Sequence, residues 1–192
     1  MAVSAKLKAF LDGAKVKYAV AKHPVAYTAQ EIAAALHVPG RRLAKSVLVK
    51  TDRGPFLAVL SAVHLIDLKK LKVVLGAKKL SIGKESDIRQ HFPDVEVGAM
   101  SPFGNLYQVP VVVDKELGQA EQIAFNAGSH TDTVTVKYAD FAALVTPKTG
   151  AFALVLKAKK GAAKPKQPAG SKKSAKNAKR STAKKKPSTR RR

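Results

Sequence analysis

The last 36 residues, from Lys157 to Arg192, hold sixteen Lys and Arg and no acid. Lys, Ala, Ser and Pro dominate the stretch, and almost nothing in it is more apolar than Ala. Such a segment cannot bury enough surface to offset its ordering entropy, so residues 157–192 are expected to form a disordered tail. Residues 1–156 carry 20 bases and all 13 acids, which leaves +7 on that part and +16 on the tail. Any packed core, and any site with fixed geometry, is thus confined to residues 1–156, the length of one ordinary domain. A polycation needs an anionic partner, and a nucleic-acid backbone is the expected one. Lys172, Lys173, Lys184, Lys185, Lys186, Arg190, Arg191 and Arg192 form its densest clusters.

Several classes of chemistry are excluded at once. There is no cysteine, hence no disulfide framework and no thiol or Cys-based zinc site. Walker, dinucleotide-fingerprint, H-E-x-x-H and G-x-S-x-G patterns are missing. His23, His37, His64, His91 and His130 are too scattered to make a local metal pair, so no metal and no cofactor are expected. The first twenty residues lack the apolar run of a secretory signal, and no run reaches the roughly 20 residues of a membrane span. A cytoplasmic protein with no membrane partner is the expectation.

Periodicity marks the elements. Leu7, Phe10 and Leu11 share a face of a helix over 5–14, with Ser4 as its cap and Gly13 as its stop. Val16–Val20 alternates as a strand. Thr28 and Glu31 form a capping box for a helix that runs to His37 and ends before Pro39-Gly40. Lys45–Lys50 and Phe56–Leu60 read as the arms of a hairpin around Thr51–Pro55. Helices are expected over Ile66–Leu75, Ser86–His91 and Tyr138–Leu144. Strands are expected over Val109–Val113, Gln122–Asn126, Thr131–Val136 and Phe152–Leu156, with a Gly/Pro/Ser-rich loop over Asp94–Tyr107. The mixture lacks a strict βαβ rhythm, which argues for an α+β domain with a mixed sheet.

Four local features can carry chemistry. Lys45-Ser46 opens a strand after Arg41-Arg42; its ammonium either points into a cleft or is simply solvated. Gly98 and Gly104 flank Ala-Met-Ser101-Pro102-Phe103, a loop that either presents amides to an oxyanion or is an ordinary connection. Gly128-Ser129-His130 turns between two strands, where adjacent Ser and His point to opposite faces and cannot form a nucleophile pair on their own. His23-Pro24, with Tyr27-Thr28, lies either beside a cleft or in packing.

Taken in order, YAVAKHPVAYTAQEIAAALHVPGRRLAKSVLV, the GAMSPFG loop and IAFNAGSHTDTVTVKYADFAAL resemble the YbaK/EbsC family of aminoacyl-tRNA editing domains. That family includes the insertion domain of bacterial prolyl-tRNA synthetase and free-standing trans-editing deacylases. The resemblance runs from about residue 5 to residue 146. It implies a single compact domain over 1–156 with a curved, barrel-like mixed sheet flanked by helices, acting as a monomer. It also implies hydrolysis of the ester joining a wrong amino acid to the terminal adenosine of a tRNA. Lys45 matches the family lysine that positions the substrate end, and Gly98–Gly104 matches its glycine-rich loop. Gly128-Ser129-His130 matches the turn that shapes the amino-acid pocket.

On this reading Lys45, Gly98, Ser101 and Gly104 are the catalytic candidates. His23, Tyr27, Thr28, Lys45, Ser46, Pro102, Phe103, Gly128, Ser129 and His130 are the substrate-binding ones. An aminoacyl ester is already activated, so positioned water and oxyanion donors suffice without a protein nucleophile. The tail is an addition to the family core. It would hold the tRNA backbone, with chromosomal DNA or ribosomal RNA as competing ligands. The alternative is a non-catalytic RNA- or DNA-binding adaptor built on an editing-like domain.

Overall fold

A computed structural model of the chain describes residues 3–36 and 38–154. The expected tail, Val155-Leu156 at the end of the last expected strand, and His37 at the end of the second helix lie outside the described residues.

Helix α1 (Ala5–Gly13) buries Leu7 and Leu11, one turn apart on its inner face. Ser4 stands at the capping position, but its hydroxyl donates to Asp94 Oδ2 at 3.2 Å and makes no cap hydrogen bond. Strand β1 (Tyr18–Lys22) starts two residues beyond the expected Val16. Before α2 (Ala29–Leu36) the capping box forms as read. Glu31 N–H donates to Thr28 Oγ1 at 3.2 Å, and Thr28 N–H donates to Glu31 Oε2 at 3.1 Å. The Thr28 amide, joined by that of Tyr27 at 3.0 Å, holds the Glu31 carboxyl below the ordinary glutamate pKa.

Strands β2 (Ala44–Thr51) and β3 (Gly54–Ser61) form the expected hairpin, registered from Ala44↔Ser61 to Thr51↔Gly54. The following helix is shorter than its pattern. Leu65–Ile66 forms β4, and Asp67 then accepts from the amides of Lys69 and Lys70 to cap α3 (Leu68–Leu75). Next come β5 (Leu80–Ile82), α4 (Glu85–His91), β6 (Val111–Asp114), β7 (Gln122–Asn126), β8 (Asp132–Lys137), α5 (Tyr138–Val145), β9 (Lys148–Gly150) and β10 (Ala153–Leu154). Periodicity missed β4, β5 and β9, because three residues or fewer leave no alternation to read.

The domain is α+β, as expected. Its five-stranded sheet runs β5-β2-β3-β6-β9, with β3–β6 and β6–β9 parallel and the other pairs antiparallel. A three-stranded antiparallel sheet runs β1-β8-β7, and β10 pairs with β4. The strands do not close into a barrel. A single parallel bridge, Leu43↔Ala124, joins the two larger sheets.

Alternation along β3 builds two cores. Leu57 and Val59 face the three-stranded sheet, where Phe103, Phe125 and Phe141 pack with Leu7 and Leu11. Ala58 and Leu60 face Leu71 and Leu75 of α3 and Phe152.

Candidate active site

A candidate cavity originates in a gap in strand pairing. On the side of β2 away from β3, β5 pairs only with Val49–Thr51, and Gly83 N–H donates to Leu48 O. At the other end Leu43 bridges Ala124 of β7. Between these two points Ala44–Val47 has no strand partner on that side among the described residues. Leu57 N–H donates to Pro110 O, away from β2, so Leu57↔Leu48 is a non-hydrogen-bonded pair. Ser46↔Val59, two residues along, shares that phase, and Ser46 turns its main-chain N–H and C=O toward the open edge.

A cavity of about 220 Å³ fills the gap. Its walls are Lys45 and Ser46 of β2, Gly98 and Met100 of the glycine-rich loop, and Asn126 at the end of β7. Tyr27, Ile32, Leu43, Ala44, Val47 and Ala62 complete them. Four of the sequence candidates, Tyr27, Lys45, Ser46 and Gly98, therefore meet in one place, although as many as 71 positions separate them.

Lys45 is half-buried, and its ammonium donates to the main-chain carbonyl of His64. Burial pushes its pKa below the ordinary lysine value. One donor is committed, so two N–H groups remain for a ligand oxygen. The His64 ring is itself buried, and its Nδ1 lies 3.4 Å from Glu116 Oε2, close enough for charge attraction but not aligned as a hydrogen bond.

The glycine-rich loop and the Gly128-Ser129-His130 turn are stapled together. Glu96 N–H donates to Gly128 O at 3.0 Å, and Gly128 N–H to Ala99 O at 3.1 Å. His130 N–H donates to Glu96 Oε2 at 3.0 Å, and His130 Nε2 lies 3.0 Å from Val97 O. Gly98 has φ +90°, and a Cβ there would lie 3.4 Å from His130 Cε1. The left-handed backbone calls for glycine, and the ring would meet such a Cβ in ordinary contact. The other face of the His130 environment is Tyr27, whose ring centroid is 4.8 Å away. Tyr27 is 75% exposed and stands at the cavity mouth. Among the described residues, the amides of Gly98 and Met100 donate to no other group. Ser46 Oγ and Asn126 Oδ1 are buried without a partner.

Other candidates lie elsewhere. Ser101, Pro102, Phe103 and Gly104 are buried and do not line the cavity. Phe103 packs edge-on to Phe10 and Phe141, and a Cβ on Gly104 would come within 2.5 Å of Val109 O, so this glycine serves close packing. Tyr107 packs against Phe92, and burial pushes its phenol up to about 12. His23 is buried between Thr133 Oγ1 at 2.9 Å and Pro24 O at 2.8 Å. Thr28 caps α2, and Ser129 donates to Asp132 Oδ2 at 2.9 Å. Gly128, Ser129 and His130 thus support the loop from behind. Sequence reasoning missed Asn126, Met100 and the apolar wall. Asn126 ends a strand of ordinary alternation, and nothing in its neighbours marks it.

The profile of the aminoacyl-tRNA editing domain matches residues 23–144. The chain belongs to the aminoacyl-tRNA editing domain family. The prolyl-tRNA editing protein ProX of Acetoanaerobium sticklandii is 30% identical over 148 residues, covering 74% of this chain and 90% of that protein. The proline–tRNA ligase of Xylella fastidiosa is 30% identical over 94 residues, which span 49% of this chain and only 16% of the ligase. A solved structure described as a candidate trans-editing enzyme for prolyl-tRNA synthetase superposes with a TM-score of 0.70 at 19% identity, covering 79% of this chain and 96% of that one. It shows the same fold. As a member of the editing family, the chain is an aminoacyl-tRNA deacylase, an ester hydrolase whose partner is tRNA. Among its described residues no helix is long and apolar enough to cross a membrane.

Proposed function

We propose that this editing protein acts in trans, clearing the prolyl-tRNA system of tRNA charged with a wrong, small amino acid. The relative named for prolyl-tRNA editing, matched over 90% of its length, supports that substrate class. The observation that carries the site is the convergence of Lys45, Gly98, Met100 and Asn126 on one cavity at an unpaired strand edge.

In this reading Lys45 binds a ribose or phosphate oxygen of the terminal adenosine, and the exposed Tyr27 ring stacks on its adenine. The amides of Gly98 and Met100 receive the ester oxygen as it becomes negative. Asn126 Oδ1 and Ser46 Oγ accept from the α-ammonium of the amino acid. Water, deprotonated with help from the free ribose hydroxyl, attacks the carbonyl carbon. The C–O ester bond then breaks, and the ribose oxygen takes up a proton. The products are a free amino acid and a tRNA with its terminal hydroxyl restored. No side-chain nucleophile enters the sequence of steps. Ile32, Leu43 and Met100 bound the side-chain space, and size exclusion of this kind discriminates by about 1–3 kcal/mol per methylene.

A deacylation panel tests the proposal. The purified chain is offered tRNAs charged with Ala, Ser, Thr, Cys and Pro, with Lys45→Ala alongside. Lys45-dependent release from one or two esters is expected. Equal release by Lys45→Ala, or none from any ester with tRNA binding intact, overturns it; the latter result favours a non-catalytic adaptor.

A further inference from the structure

A second cleft, about 450 Å³ in volume, opens beside the cavity. It is lined by Arg41 and Arg42, from the turn just before β2, and by Ser61, Glu116, Gln119 and Glu121. Their linings are adjacent in the chain: Leu43 and Ala62 of the first follow Arg42 and Ser61 of the second, and Ala62 N–H donates to Leu43 O at 2.7 Å. Arg42 ends the short turn Gly40–Arg42, three residues before Lys45, so at most about 10 Å of chain separates the two. That distance is comparable with the reach of one nucleotide unit.

The chemistry of this lining is not that of a solvated charge face. Arg41 and Arg42 are exposed, and among the described residues no carboxylate lies within the 4.0 Å of an ion pair with either. Glu116 is turned to the buried ring of His64, whose carbonyl holds Lys45. Glu121 and Gln119 are exposed and line the same cleft. Two uncommitted guanidinium groups suit phosphate oxygens. Carboxylate and amide oxygens in the same cleft suit an exocyclic amino group of a base, of which the N4 amine of cytosine is the best match.

Resting on the deacylase reading of the neighbouring cavity, we propose that this cleft is the subsite for the cytidines that precede the terminal adenosine of the tRNA. Arg41 and Arg42 hold the phosphates, and Glu121 and Gln119 accept from a cytosine amine. The body of the protein then reads the acceptor end through its last bases, and so enforces single-stranded entry of that end.

The test is binding of two labelled trinucleotides, CCA and UUA, to the full chain. Uracil carries a carbonyl where cytosine carries the amine, while the backbone charge is identical. Nonspecific attraction to basic residues therefore cancels in the ratio. CCA should bind about 5-fold tighter or more, as one amine contact discriminates by about 1–3 kcal/mol. Glu121→Ala with Gln119→Ala should remove the preference, and Arg41→Gln with Arg42→Gln should weaken both oligonucleotides together. Equal binding by the wild type, or a preference that survives the Glu121/Gln119 variant, overturns the subsite. The deacylation panel is an independent readout: hydrolysis without a CCA preference sinks only the subsite, and a preference without Lys45-dependent hydrolysis of any ester in the panel sinks only the proposed reading of the neighbouring cavity.

Discussion

Lys45, on β2, donates from its ammonium to the main-chain carbonyl of His64, which stands in the turn after β3 nineteen residues further on. The bond pins a half-buried cation at the strand edge where substrate is proposed to bind. Burial disfavours the charged form, so the ammonium loses its proton at a pH below the ordinary lysine value. Activity that needs the ammonium is therefore present below that lowered pKa and falls as pH rises through it. With spontaneous ester hydrolysis subtracted, kcat/KM should show this alkaline limb. Lys45→Arg keeps its charge to higher pH and should move the limb up or abolish it. Lys45→Ala should cost on the order of 100-fold or more at neutral pH. An identical limb in Lys45→Arg would assign the titration to another group.

Gly98→Ala combines a disfavoured backbone with a ring 3.4 Å from the new methyl. We expect a loss of stability of about 1–3 kcal/mol and a larger loss of kcat, because the displaced amides are the proposed oxyanion donors. Adding His130→Ala removes the ring but not the φ of +90°, so the double variant should not recover the lost stability. Thermal melting and single-turnover deacylation measure the two effects separately. A Gly98→Ala protein with wild-type kcat would remove this loop from the chemistry.

Tyr27 is exposed at the mouth, so its loss should hardly affect folding. If it stacks on the terminal adenine, Tyr27→Ala weakens substrate binding by about 1–3 kcal/mol, and Tyr27→Phe retains most of the affinity. The KM for a charged tRNA minihelix reports this directly. Equal KM in all three proteins would place the adenine elsewhere.

Phe103, drawn from the same loop as Gly98, should behave in the opposite way. It is fully buried among Phe10, Phe125 and Phe141. Phe103→Ala should destabilise the domain by about 3–5 kcal/mol. At a temperature where the variant is still folded, its KM should match the wild type. A raised KM in folded protein would put this ring in contact with substrate.

The basic segment 157–192 is proposed to add sequence-independent affinity for the tRNA backbone. If about six phosphates are engaged, log K against log salt should have a slope of about −4 to −5 in the full chain. A chain ending at residue 156 should show a flatter slope and a higher KM, with kcat at saturation nearly unchanged. The same slope in both proteins would rule out a tail contribution.

The sequence by itself determined the elements with local causes. Thr28 and Glu31 cap α2 because both partners lie within one helical turn. The β2–β3 hairpin is legible because its β-branched runs adjoin its turn. The family was equally legible, since three ordered stretches carry it. What only the tertiary structure decided is which of those residues share a space. Gly98 and Ser101 stand three residues apart, yet one lines the cavity and the other is buried outside it. Asn126 and Met100 join the site because β7 bridges Leu43 while β5 stops at Val49, leaving the edge of β2 open between them. Strand pairing between distant segments sets such a gap, and no local pattern of residues encodes where a partner strand will end.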